Sequence, residues 1–119
     1  MNHPYIGILI NHSQYIRMIN KRPLYHERIS FYEMDGKRYE LVPCYFRLRD
    51  IKPGKQHVYA LIKRKTGYMK KRIAIPGVVH NRTLYTDKAS IRLMEHFVKK
   101  NHVYVFNRHN RYGKKAYLQ

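Results

Sequence analysis

The strongest constraint on the fold is an unbroken apolar run near the start of the chain, at residues 6–10. A strand with one face in water alternates apolar and polar residues, whereas a strand covered on both faces is apolar throughout. The run therefore predicts a buried strand of a mainly parallel sheet. Helices must then cover both faces of that sheet, so a three-layer α/β domain is expected.

Further strands are predicted at intervals along the chain. The segments are short, rich in apolar and β-branched residues, and bounded by turn residues. They lie at 41–48, 57–62, 70–75, 78–79 and 103–106. The segments 57–62 and 70–75, joined around Gly67, predict an antiparallel β-hairpin.

Apolar residues at helical spacing predict helices between these strands. The first helix is expected to begin at Gln14 after an N-cap at Ser13, because serine oxygens accept hydrogen bonds from the free N–H groups of a first turn. Ile16, Met18 and Ile19 are expected to face inward.

Two more helices are predicted from their start and stop signals. Pro23 suits the first turn of the second helix, and Gly36 is its expected end. The third helix takes Asp87 or Ser90 as its N-cap and ends at Asn101. Strands and helices thus alternate, as the α/β class requires.

The length of 119 residues and the hydrophobic fraction of 44% predict one folded domain with a tail. The domain is expected over residues 1–107 and a basic tail over 108–119. Cys44 is the single cysteine and lies in an apolar run, so a buried thiol is expected and an internal disulfide is excluded. The single cysteine predicts a cytoplasmic protein, and no signal peptide or membrane span is visible in the sequence.

Charge is the feature that bears most on function. Twenty-five Lys and Arg face seven Asp and Glu, giving a formal net charge of +18. Residues 51–85 contain nine Lys or Arg and no acid, and residues 96–119 contain six and no acid. Because such self-repulsion opposes a compact state, the excess indicates a polyanionic partner, and phosphate backbones are the commonest match.

The basic residues form clusters with tyrosines among them. Three lie on each side of the predicted hairpin turn, and more follow in the tail, in a pattern typical of segments that order on RNA. Tyr68 and Tyr112 are placed to stack on unpaired bases. The expected nucleic-acid contacts are Lys63, Arg64, Lys65, Tyr68, Lys70, Lys71, Arg72, Arg82, Arg108, Arg111, Tyr112, Lys114 and Lys115.

RNA is favoured over DNA as the partner. No helix-turn-helix or zinc finger is evident, tyrosine is abundant, and the composition is similar to that of ribosome-associated proteins. Two alternatives remain for the charge: a solvated surface that keeps the protein in solution, and an anionic membrane or other acidic polymer. A membrane is disfavoured because the basic residues cluster on a hairpin and a tail instead of a helix.

The sequence carries no recognisable catalytic or cofactor motif. The eight histidines lack metal-ligand spacing, no glycine-rich phosphate loop occurs, and the seven acids form no evident pair. A non-enzymatic protein without a metal or cofactor is therefore expected. An enzyme would need a polar pocket assembled in three dimensions.

Five segments resemble, in the same order, the amino-terminal part of the YheC/YheD-type proteins, the endospore coat-associated members of the ATP-grasp superfamily. They are Ile-Gly-Ile-Leu at 6–9, Tyr-Phe-Arg-Leu-Arg-Asp-Ile at 45–51, Ile-Pro-Gly-Val-Val-His-Asn-Arg at 75–82, Val-Phe-Asn at 105–107 and Lys-Lys-Ala-Tyr at 114–117.

This resemblance implies a Rossmann-like pre-ATP-grasp domain, an ATP-grasp protein as partner and a role in spore-related chemistry. The family's ATP-grasp lobes, which carry nucleotide, magnesium and ligase chemistry, lie beyond the resembling segments, so no catalytic residue is carried over. Two functions are thus expected from different classes. One is a protein bound to ribosomal or other structured RNA, and the other is a stand-alone or truncated pre-ATP-grasp scaffold.

Overall fold

The computed structural model describes residues 3–21 and 28–107, with Arg28 described by its backbone alone. Along the chain the elements are β1 (Tyr5–Leu9), α1 (His12–Ile19), α2 (Arg28–Tyr39), β2 (Val42–Phe46), a 3₁₀ turn (Leu48–Asp50), β3 (His57–Arg64), β4 (Gly67–Ala74), β5 (Val78–Asn81), α3 (Lys88–Asn101) and β6 (Tyr104–Phe106).

The strands form one six-stranded mixed sheet in the order β4-β3-β2-β1-β5-β6. β1 pairs in parallel with β2 and β5, and β5 pairs in parallel with β6. The β3–β4 hairpin joins the edge of β2 in antiparallel fashion. The predicted α/β class with mainly parallel pairing is confirmed.

Helices cover the two faces of the sheet. On one face, Met94 and Phe97 of α3 pack into a core with Leu9. On the other face, Tyr15 of α1 packs into a second core with Ile8. Ile8 and Leu9 are both fully buried, as the apolar run predicts. We call these the α3 face and the α1–α2 face.

The two parallel crossovers run in opposite directions along the sheet. From β1 the chain passes through α1 and α2 to β2 on one side, whereas from β5 it passes through α3 to β6 on the other side. Crossovers of the same hand that run in opposite directions place their helices on opposite faces. The arrangement of the two cores follows this rule.

The prediction for α1 is wrong in its start, and its predicted buried face is confirmed for Met18 but wrong for Ile16 and Ile19. The helix begins at His12, directly after β1, with Asn11 at the N-cap position in place of Ser13. Tyr15 and Met18 face the core, whereas Ile16 and Ile19 are 37% and 44% exposed. Adjacent helical residues point about 100° apart. Ile16 and Ile19 each follow a buried residue, Tyr15 or Met18, and therefore point away from the core.

Gly36 does not end α2, which continues to Tyr39. The end comes at Glu40, which takes the left-handed conformation (φ 58°), while the Leu41 N–H donates to the Gly36 carbonyl at 2.7 Å. This six-to-one bond is the Schellman motif. Gly36 is needed for packing, because a Cβ there would lie 2.7 Å from the Leu41 carbonyl oxygen and 2.9 Å from Pro43.

The predicted third helix is confirmed as α3. Asp87 is its N-cap, and one of its carboxylate oxygens accepts a hydrogen bond from the Ser90 N–H at 2.9 Å. Met94 and Phe97 are fully buried, and the helix ends at Asn101. The predicted helix start at Pro23 and the basic tail at 108–119 lie outside the described residues.

Candidate nucleic-acid interface

The β3–β4 hairpin is tighter than the sequence predicts. The strands extend to Arg64 and from Gly67, so only Lys65 and Thr66 lie between them. Both strands pair over eight residue positions, from His57 opposite Ala74 to Arg64 opposite Gly67. Five of the six predicted basic contacts therefore belong to strands and not to a loop.

Strand geometry divides these cations between two faces. Successive side chains of a strand point to opposite sides. Lys70 lies opposite Leu61 and Arg72 opposite Tyr59, on the α1–α2 face, and Lys63 lies on the same face. Lys71 lies opposite Ala60, on the α3 face, whereas Arg64 at the end of β3 borders a cavity beside α2. The six charges consequently do not form a single cluster at the turn.

A cavity of about 500 Å³ at the start of β3 gathers four cations from the hairpin and from the turn before it. β3 begins where β2 ends, because the two strands are antiparallel with Tyr45 opposite Leu61. The cavity therefore lies beside the hairpin, at the same edge of the sheet as the carboxyl end of β2. We call it the basic cavity; its lining is Asp50, Lys52, Lys55, Gln56, His57, Val58, Tyr59, Lys70 and Arg72.

Tyr59 offers an aromatic surface inside this group of cations. Its side chain is 52% exposed, and the Lys70 Nζ lies 5.4 Å from the ring centroid. Arg72 stands directly across the hairpin from it. Sequence reasoning missed Tyr59, Lys52 and Lys55 as site residues. The available signal was the hairpin register, which places Tyr59 opposite Arg72 once the turn is located at Lys65 and Thr66.

Asp50 is the one carboxylate in the lining of the basic cavity, and it is already paired. Arg47 donates to both of its oxygens, with Nη2 2.7 Å from Oδ1 and Nε 2.9 Å from Oδ2, and the Arg47 N–H adds a third bond. The Arg47 guanidinium also lies 3.7 Å from the centroid of the Tyr15 ring. Such a bidentate pair neutralises the carboxylate locally.

Arg47 also reaches His12 at the start of α1. Its Nη1 lies 2.7 Å from the Nδ1 of His12. Desolvation, followed by the charges of Arg49 and Arg47, lowers the pKa of His12. His12 is therefore neutral at pH 7 and accepts a hydrogen bond from the guanidinium through Nδ1.

The four cations that line the basic cavity have no carboxylate partner among the described residues. Within residues 3–21 and 28–107, the ion pair that the structure forms between described side chains is Arg47–Asp50. Lys52 donates to the Arg49 carbonyl at 3.1 Å, and Lys70 lies near Tyr59. The cavity therefore presents uncompensated positive charge to solvent.

The hairpin turn borders a second cavity, of about 600 Å³, which has mixed charge. Lys63, Arg64 and Lys65 face Glu33 and Lys37 of α2 across it. Tyr45 donates a hydrogen bond of 2.5 Å to Glu33. Burial raises the pKa of Glu33, against the opposing effects of this hydrogen bond and of Lys63 and Lys37.

Tyr68 is poorly placed for the predicted role of stacking on a base. Its ring packs edge-on against Tyr45 with a centroid distance of 5.7 Å, at the margin of the α1–α2 core. Burial raises the pKa of Tyr68 to about 12. Because the ring is half-buried, the structure favours Tyr59 over Tyr68 as an exposed aromatic partner.

The other predicted contacts are distributed differently. Arg82 directly follows β5, also at the carboxyl edge of the sheet, and its N–H donates to the Leu9 carbonyl at 2.8 Å. β1 and β2 separate it from the basic cavity. The five predicted contacts of the tail lie outside the described residues: Arg108, Arg111, Tyr112, Lys114 and Lys115.

The described residues contain no group of three His, Cys, Asp or Glu placed to hold a metal ion. No helix in the described part of the chain has the length and apolar character needed to cross a bilayer. Cys44 is buried, and this burial raises the pKa of its thiol, so the thiolate needed for nucleophilic chemistry is disfavoured.

No protein-family model, curated protein or solved structure matches the chain.

Proposed function

We propose that the chain is a non-enzymatic, cytoplasmic RNA-binding protein that holds phosphate groups in the basic cavity. One observation carries the proposal. Lys52, Lys55, Lys70 and Arg72 converge on one cavity whose only lining carboxylate is already bound by Arg47. Ribosomal or another structured RNA is the proposed partner.

Phosphates suit this cavity because its four cations have no carboxylate partner in the described part of the chain. Each phosphate that a Lys or Arg neutralises releases condensed counterions, and this release supplies much of the affinity for nucleic acids. The formal net charge of +18 adds long-range attraction toward a polyanion. The mixed-charge cavity beside Glu33 is less suited, because its carboxylate would repel a phosphate.

RNA is preferred over duplex DNA because of Tyr59. A half-exposed ring beside Lys70 can stack on an unpaired base while the cation contacts the neighbouring phosphate. Such contacts select for single-stranded loops and bulges, which structured RNA provides. Sequence preference is expected to be weak, since phosphate contacts position the protein without reading bases.

The test is the salt dependence of binding to a structured RNA, measured by fluorescence anisotropy. With ~6–10 phosphate contacts, affinity should fall by roughly 10³–10⁵ between 50 and 200 mM salt. A variant with Lys52, Lys55, Lys70 and Arg72 replaced by Gln should lose roughly 10³-fold in affinity near 0.1 M salt and show a shallower salt slope.

A matched control removes the same charge from α3. Lys88, Arg92, Lys99 and Lys100 are exposed there, and replacing them by Gln keeps helix propensity. This control should retain most of the affinity if the basic cavity is the site. A flat salt response of the unmodified chain, or equal losses in the two variants, would overturn the proposal.

A second candidate function rests on the topology. The strands β2-β1-β5-β6 are all parallel, with helices on both faces, which is the order expected of a small Rossmann-like domain. This supports the resemblance to the YheC/YheD-type pre-ATP-grasp domain and a scaffold role beside an ATP-grasp protein. Co-elution with such a protein on size exclusion, with no affinity for RNA, would favour this candidate.

A further inference from the structure

Among residues 3–21 and 28–107, no helix packs over the β5–β6 end of the α1–α2 face of the sheet, which we call its uncovered end. α1 and α2 pack over Ile8 and Tyr45, whereas the crossover from β5 to β6 places α3 on the opposite face. Val79 and Val105 therefore point into the α3 core, and their neighbours along β5 and β6 point the other way. From α2, the Tyr32 ring reaches this end of the face.

Four aromatic side chains adjoin one another at this uncovered end. Tyr32 meets His80 edge-on at 5.5 Å between ring centroids, His80 lies 6.5 Å from Phe106, and Phe106 meets Tyr104 edge-on at 4.7 Å. Tyr104 and Phe106 are 61% and 47% exposed. We call these four residues the aromatic platform.

The platform is held in place by hydrogen bonds at the ends of its strands. The Asn81 side chain is fully buried and donates to the Asn107 carbonyl at 3.1 Å, while the Asn107 side chain donates to the Asn81 carbonyl at 3.2 Å. The Asn81 Oδ1 accepts from both the N–H and the hydroxyl of Thr83. These bonds clamp the end of β6, and with it Phe106, onto β5.

The electrostatic surroundings favour an anionic ligand. β5 and β6 contain no Asp or Glu. Arg82 follows β5 directly, and its charge acts on the platform, because burial and then the Arg82 guanidinium lower the pKa of His80. A cation thus stands beside a row of half-exposed rings.

We infer that the aromatic platform binds unpaired nucleobases of single-stranded RNA, with Arg82 contacting the adjacent phosphate. Every base has a π-face that can stack on an aromatic ring, and the sugar-phosphate chain supplies the negative charge that Arg82 complements. The inference rests on the proposed RNA-binding function and adds a second contact at the far end of the same face of the sheet.

The experiment uses a short single-stranded oligoribonucleotide that carries the fluorescent base 2-aminopurine, whose emission is quenched by stacking. Replacing Tyr104 and Phe106 by Ala should lower its affinity roughly 5- to 150-fold for one stacked base and abolish the quench. The salt slope should stay unchanged, because no cation is removed. Binding of an RNA duplex should be unaffected.

The control variant exchanges the two rings, Tyr104→Phe with Phe106→Tyr, and should retain both affinity and quench. Both side chains are exposed, so the Ala variant leaves the core intact, and an unchanged unfolding midpoint checks this.

The outcomes separate the two proposals. If the unmodified chain does not bind RNA at low salt, the RNA-binding function fails. If it binds RNA but the Ala variant keeps full affinity and quench, the platform inference alone is overturned. If instead size exclusion shows that the unmodified chain is a dimer and the Ala variant a monomer, the platform is an interface between two copies and the inference is likewise wrong.

Discussion

The two ends of the sheet expose different kinds of side chain on the same face. At the β3–β4 end the exposed side chains are cations around Tyr59, and at the β5–β6 end they are aromatic rings beside Arg82. The first pair of strands is antiparallel and joined by a two-residue turn, whereas the second is parallel and joined by α3. The segment that joins each pair of strands, a short turn or a helix, therefore determines which helices pack over that end of the sheet.

Strand alternation has a different effect at each end. In β4 three consecutive cations, residues 70–72, are divided, so that two reach the basic cavity and Lys71 points to the α3 face, where it contacts the Tyr5 hydroxyl at 3.4 Å. In β6 the aromatics are two positions apart, so Tyr104 and Phe106 share one face. A cluster in the sequence is therefore dispersed in a strand, while residues at alternate positions are brought together.

The largest expected effect comes from removing two positive charges at a time from the β3–β4 hairpin. Lys70→Gln with Arg72→Gln removes two cations from the basic cavity, and Arg64→Gln with Lys71→Gln removes two hairpin cations that do not line it. The first pair should weaken RNA binding roughly 25- to 60-fold near 0.1 M salt, since two phosphate contacts are lost. The second pair should have a much smaller effect, and anisotropy titrations measure both.

Equal losses in the two pairs would mean that the hairpin acts as an undivided positive charge. The position of these cations relative to the basic cavity would then have no role in binding. Because all four residues are exposed, unfolding midpoints should be similar for both pairs, which separates binding from stability.

Much of the fold was predictable, because local signals and tertiary packing agree there. The buried strand β1 follows from its uninterrupted apolar run, and α3 follows from Asp87 and an apolar stripe. The stripe of α1 was mistaken because its core residues, Tyr15 and Met18, are flanked by isoleucines that are equally apolar. Hydrophobicity alone does not decide between adjacent helical positions.

The two proposed binding surfaces were harder to predict, since their members are far apart in sequence. The basic cavity combines Lys52 and Lys55 from a turn with Lys70 and Arg72 from β4. The aromatic platform draws on α2, β5 and β6, and its exposure depends on which face α3 covers. Sequence composition indicates an excess of cations and tyrosines, but the strand order decides which of them meet.

A second test removes the clamp at the aromatic end. Asn81→Ala deletes the acceptor of two Thr83 hydrogen bonds and the donor to the Asn107 carbonyl. The expected cost is about 1–2 kcal/mol of unfolding free energy, because buried polar groups lose their partners. Denaturant unfolding measures this cost.

Amide hydrogen exchange locates the effect of Asn81→Ala. Exchange should accelerate in β6 and stay unchanged in β3 and β4, since strands open as local units. Uniform acceleration throughout the sheet would show that the two ends are not separate in stability. The matched variant Asn101→Ala loses a single exposed bond, to the Lys55 carbonyl, and should change little.

The smallest expected effects are on the pH dependence of stability, and they have opposite signs at the two ends. At the aromatic end, burial and then Arg82 lower the pKa of His80 below its usual 6.5. The unfolded chain therefore takes up a proton first, so the stability from neutral His80 is complete above pH 6.5 and is lost as pH falls through the folded-state pKa.

At the hairpin end, burial raises the pKa of Glu33 above its usual 4.5. The folded chain holds that proton more tightly, so the favourable contribution is present below pH 4.5 and is lost as pH rises through the folded-state pKa. Denaturant unfolding between pH 4 and pH 8 should thus show that His80→Phe removes a loss of stability on acidification, whereas Glu33→Gln removes a gain. Curves for the two variants that shift in the same direction relative to the unmodified chain would contradict burial as the main cause of both pKa shifts, because burial disfavours a cationic His80 and an anionic Glu33 alike.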